Sequence, residues 1–123
     1  MIALIFVFGI SIGAFGSILM KIGTSQMGPV EIHSLDQLLG FLLKLLTNFT
    51  AMAGMFLYFL AGVTWAYLLT KLDVSYVQPI LALTYVATPI LAIVLLHENV
   101  PLLRWVGILV IIAGVFIVAR TSV

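Results

Sequence analysis

Four apolar runs constrain this chain more than any other feature. They lie at about 2–21, 50–71, 75–96 and 102–119. A helix that crosses a bilayer needs about 20 predominantly apolar residues, and each run has that length. Lys21, Lys71 and Arg120 close three of them. Composition agrees: 64% of the 123 residues are hydrophobic and 7% are charged. A soluble domain carries about 25% charged residues, so this chain has too little polar sequence to cover itself in water. The expected fold is an all-α membrane protein, a single domain over 1–123. Its four transmembrane helices are joined by short turns, which implies an antiparallel bundle.

The segment between the first two runs has a different pattern. Residues 23–34 form a polar loop with a Gly28–Pro29 turn signal. Residues 35–48, LDQLLGFLLKLLTN, are apolar but interrupted by Asp36, Gln37, Lys44, Thr47 and Asn48. They are too few and too polar to span. Two readings fit: an amphipathic helix at the membrane interface, or the frayed start of the second span.

The third span carries Pro79 and Pro89. Proline frees backbone groups that neighbouring helices must satisfy in lipid, so Pro79 predicts a kink or local unwinding near one end. In the first span Gly9 and Gly13 form a GxxxG, with Gly16 beyond it. Such glycines let a second backbone come close, either within the chain or across a dimer.

Charge is uninformative about orientation. Four crossings put Lys71 and Arg120 on one side and Lys21, Lys44 and Arg104 on the other. The positive-inside rule needs a Lys/Arg excess, and two against three gives almost none. Insertion in both orientations and a fixed orientation both remain open. A net charge of +1 leaves no footprint for nucleic acid. With no cysteine, disulfides and thiolate chemistry are excluded.

Enzyme chemistry has little to work with. Glu31, His33, Asp36, Asp73, His97 and Glu98 all lie outside the span centres. No HExxH, P-loop or GxSxG occurs. The expectation is a transporter rather than an enzyme, with no cofactor. Four helices are too few to enclose a pathway alone, so a dimer with a copy or a homologue is expected to supply the second repeat.

A few residues are candidates for substrate contact. Lys21, at the end of the first run, either snorkels to the interface or meets a phosphate there. Gln78 beside Pro79 is an amide in lipid and needs partners. Tyr85 is seven residues on, on the same face of a regular helix. The two either line a cavity or bond between helices. Ser17 lies near Lys21, and Trp65 near the end of the second run fits an aromatic belt. Glu98 is either a surface carboxylate or an acceptor that fixes the last turn.

Three segments carry a resemblance: GSILMKIG at 16–23, LDVSYVQPILALTYV at 72–86 and LLHENVPLLRWVGILVIIAGVFIVAR at 95–120. They resemble the drug/metabolite transporter superfamily, as a small four-helix, EamA-like member. One branch of similar size is the small multidrug resistance family, antiparallel dimers that export cations. Its proton-coupled members carry a glutamate in the first span, and alignment on Leu19–Lys21 puts Gly13 at that place. The other branch is the subunits of the aminoarabinose–undecaprenyl phosphate flippase, which the chain resembles more closely at Ser17–Lys21, Gln78–Pro79 and His97–Asn99. That resemblance implies a polyprenyl-phosphate-linked sugar moved between leaflets of the cell inner (plasma) membrane. Lys21 would then neutralise phosphate, Gln78 and Tyr85 would bond the head group, and the isoprenoid tail would stay in lipid. The alternatives are an exporter of amphipathic cations or small metabolites, and a non-transporting partner subunit.

Overall fold

Lipid offers the backbone no hydrogen-bond partner, so long apolar runs must satisfy themselves as helices. A computed structural model shows that outcome, and it describes residues 1–121. Six helices run in chain order: α1 (Ile2–Gln26), α2 (Leu35–Thr47), α3 (Phe49–Leu69), α4 (Val74–Leu81), α5 (Thr84–Leu96) and α6 (Leu102–Ala119). With α4 and α5 taken together as Val74–Leu96, four helices are long and apolar enough to cross a membrane.

The segment before α3 is a helix of its own. Ser34 opens α2, its Oγ accepting the Gln37 amide at 3.3 Å. The Gln37 side chain in turn accepts the His33 amide at 2.5 Å, an arrangement close to a capping box. Asn48 then stands extended between α2 and α3, so α2 is not a frayed start of α3. Around α2, Asp36, Gln37, Lys44 and Thr47 share one face, while Phe41 and Leu45 are half-buried. The remaining face, Leu35, Leu39, Leu42, Leu43 and Leu46, is exposed and apolar.

α1 and α3 form the closest pair in the molecule, and glycine is the reason. A Cβ on Gly54 would lie 2.6 Å from the Gly16 carbonyl oxygen, and one on Gly23 would lie 2.5 Å from the Ala51 amide nitrogen. Backbone therefore meets backbone, which any larger residue would prevent. Gly9 faces Thr64, Gly16 faces Leu57 and Gly23 faces Ala51, so the two helices run antiparallel. The glycines of the first run thus serve packing inside the chain. Asn48 locks the end of this seam. Its Oδ1 caps α3 by accepting the Ala51 amide at 2.9 Å, and its Nδ2 donates to the Gly23 carbonyl at 3.0 Å.

At the other end of the bundle sits the main apolar core. Phe6 of α1, Leu68 of α3, Val77 and Ile80 of α4, and Val115 of α6 pack together. Phe6 also meets Tyr76 edge-on, with ring centroids 6.5 Å apart. The third span breaks between α4 and α5, at Ala82 and Leu83. Pro79 has no amide hydrogen to give, and the chain tightens just after it. Leu83, Tyr85 and Val86 each donate to the carbonyl three residues back, as in a 3₁₀ turn. α6 packs chiefly on α4 and α5.

Candidate functional site

A cavity of about 240 Å³ lies midway along α1, between α1, α3 and the α4–α5 break. Its α1 wall is Gly9 and Gly13, which have no side chains to fill it. Tyr58 and Trp65 of α3 form a second wall. Gln78 and Thr84 come from the broken third span. Gly16, Gly23 and Gly54 bring α1 and α3 together, and Gly9 and Gly13, earlier on α1, leave space on the side facing α4 and α5.

The polar groups around this space are donors and neutral acceptors. Trp65 Nε1 is buried and has no hydrogen-bond partner among the described residues. A buried donor without a partner costs about 1–3 kcal/mol. Gln78 adds a carboxamide. No acid lines the cavity. Gly13 is part of the wall and presents no side chain to the cavity.

Tyr58 joins this cavity to a second space. It also lines a lateral cleft of about 410 Å³ with Ser17, Met20 and Met55. Ser17 donates to the Gly13 carbonyl at 3.2 Å. Its single proton is then used, so the Tyr58 hydroxyl donates to Ser17 Oγ. Ser17 and Lys21 are four residues apart on α1 and share a face. Gly13, Ser17 and Lys21 thus form one ridge, from the cavity past the cleft to the polar end of the helix.

The residues singled out in the sequence separate into three places. Gln78 and Trp65 meet in the cavity, and Ser17 sits in the adjoining cleft. Lys21 is exposed further along the ridge, and α1 continues past it to Gln26. Tyr85 is 67% exposed and lies outside the cavity, where Thr84 stands with Gln78. The cause is the turn at Ala82–Leu83. A 3₁₀ turn advances about 120° per residue against about 100° for an α-helix. The seven-residue spacing therefore no longer returns to one face. Glu98 is elsewhere, at the mouth of a crevice between α5 and α6 that also holds Arg104. Its carboxylate makes no ion pair among the described residues.

Two participants were not legible as such. Tyr58 is one of several aromatic residues in its run, and only its position opposite Ser17 distinguishes it. Thr84 carries no signal in the sequence, because threonines in membrane helices commonly bond their own backbone. Thr64 does that, donating to the Leu60 carbonyl at 3.0 Å.

Neither a curated protein nor a solved structure matches the chain. The sequence model of the EamA-like transporter family matches residues 1–120. With four membrane-length helices and a cavity between them, this multi-pass membrane protein belongs to the EamA-like transporter family.

Proposed function

We propose that the chain translocates a polyprenyl-phosphate-linked sugar, or a closely similar lipid-linked phosphate, between the leaflets of the cell inner membrane. The observation that carries this reading is the chemistry of the cavity lining: Trp65, whose buried indole N–H has no acceptor among the described residues, a carboxamide, and no acid. A cation would find no counter-charge there. Sugar hydroxyls and phosphate oxygens are acceptors, and they would satisfy the Trp65 and Gln78 donors once the surrounding helices part. The lateral cleft gives the isoprenoid chain a place beside α1 and α3, with its tail in lipid. Lys21, on the same ridge as Ser17, offers an ammonium to the phosphate at the membrane surface. Membrane lipid is therefore both solvent and part of the substrate.

One copy encloses only about 240 Å³, too little for a glycosyl phosphate head group with its path. A second protomer, either another copy or a homologous small subunit, supplies the other half. Rocking of the two halves exposes the head group to alternate sides.

The test is translocation of a fluorescent polyprenyl-phosphate sugar in proteoliposomes. Wild type is expected to move it, and Trp65→Phe and Gln78→Leu each to slow it about tenfold, the loss of one strong hydrogen bond. Lys21→Ala is expected to weaken substrate capture. Proton-driven efflux of an organic cation by the wild-type protein, with no lipid movement, would overturn the reading. A further variant sharpens it. A Cβ on Gly13 meets nothing closer than 3.8 Å, so the start of a Gly13→Glu side chain fits beside the cavity, and this variant is expected to create cation binding.

A further inference from the structure

The crevice between α5 and α6 shares no lining residue with the cavity beside α1, and its chemistry is different. Its volume is about 450 Å³. α6 packs on α4 around Ile111 and Val115 but stands away from α5 toward its own start. Thr88 and Ala92 form one wall and Ile108 the other. Gly107 lies on the α6 side, and a Cβ there would meet nothing within 4 Å. Thr88 is eight residues before the end of α5, so the crevice reaches about 12 Å below the helix ends.

Its mouth carries opposite charges. His97 takes the left-handed conformation, with φ 56°, and the Glu98 amide folds back to the Ala92 carbonyl at 3.2 Å. That turn sets Glu98 beside the crevice at the C-terminal end of α5. Arg104 lies in the first turn of α6, whose N-terminus has no side-chain cap. Glu98 and Arg104 line the same space, yet they do not pair within 4.0 Å. The carboxylate sits at a helix end that favours cations, and the guanidinium at one that favours anions. Below them the walls are apolar except for Thr88.

We propose that this crevice binds a membrane phospholipid with a phosphoethanolamine head group. The primary ammonium donates to Glu98. The phosphate takes Arg104 and the open amides at the start of α6. One acyl chain lies in the apolar part of the crevice. A zwitterion of this kind matches both charges at once, whereas an anionic head group leaves Glu98 unmatched. A choline head group has no N–H to donate.

Native mass spectrometry of the purified chain measures this directly, with phosphatidylethanolamine, phosphatidylcholine and phosphatidylglycerol of identical acyl chains. Phosphatidylethanolamine is expected to be retained about tenfold over each of the others, the worth of one charge-assisted hydrogen bond. Glu98→Gln is expected to abolish its advantage over phosphatidylglycerol. Arg104→Gln is expected to reduce retention of both. Gly107→Leu, at a position with space for the side chain, is expected to exclude all three. Equal retention of the three lipids by wild type, or a preference for phosphatidylglycerol, would overturn the proposal. So would an unchanged lipid profile in Glu98→Gln and Gly107→Leu variants that remain helical by circular dichroism.

Discussion

The α1–α3 seam and the α5–α6 pair are built from similar residues and pack in opposite ways. Each contains glycines at helical spacing in an apolar run. In the seam, Gly16, Gly23 and Gly54 have backbone of the facing helix where a Cβ would be. On α6, Gly107 and Gly114 have nothing within 4 Å. The seam is also pinned at its end by the three bonds of Asn48. α6 packs chiefly on α4 and α5 and leaves a crevice open beside the latter. The difference shows that glycine in a membrane helix carries no fixed meaning. It marks close approach only where a partner helix arrives, and elsewhere it simply leaves room.

Alanine substitutions test this contrast, beginning in the seam. Gly54→Ala and Gly23→Ala place a methyl group against backbone that cannot swing aside. Each is expected to destabilise the chain by about 1–3 kcal/mol, read from unfolding of the detergent-solubilised protein. If both melt like wild type, the seam is not the tight region of the molecule. Asn48→Ala comes next. It removes the α3 cap and the tie to the Gly23 carbonyl, and a cost of about 1 kcal/mol is expected in the same measurement. Gly9→Ala is milder, because its Cβ would meet the Thr64 methyl at 3.1 Å rather than backbone. A loss below about 1 kcal/mol is expected there, since a side chain can yield by a few tenths of an ångström. Smallest of all, Gly107→Ala and Gly114→Ala are expected to stay within about 0.5 kcal/mol of wild type. A large loss at either position would mean that α6 is packed as tightly as α1.

The same contrast separates the cavity beside α1 from the α5–α6 crevice. The cavity sits against the tight seam and is uncharged. The crevice sits against the loose helix and has a carboxylate and a guanidinium at its mouth. A transporter needs a firm wall to hold substrate geometry and a yielding element to change its access. The α1–α3 pair fits the first role.

Much of this was legible in the chain. The four apolar runs and the short turns follow from length and period, whereas the pattern at 35–48 fitted both a separate helix and the start of the second span until the extended Asn48 separated them. The absence of an acid from every span was also legible, and it set the chemistry of the cavity. Gln78 was identifiable as an amide that needs partners in lipid, whereas Trp65 read only as part of an aromatic belt. Tyr85 was misplaced relative to Gln78 because a seven-residue spacing assumes a regular helix, and the turn after Pro79 is not one. The pairing of Tyr58 with Ser17 was invisible, since the two lie 41 residues apart.

What the sequence alone determined is therefore the set of helices and the kind of chemistry inside them. In lipid a backbone without water must bond to itself, and that requirement is local. The tertiary structure decided what each residue faces. It made Gly16, Gly23 and Gly54 a seam, Gly9 and Gly13 a cavity wall, and Gly107 open space. Lipid solvates apolar side chains about as well as they solvate one another. Which helix faces approach is thus settled by fit between distant segments, and no run of the chain contains that information by itself.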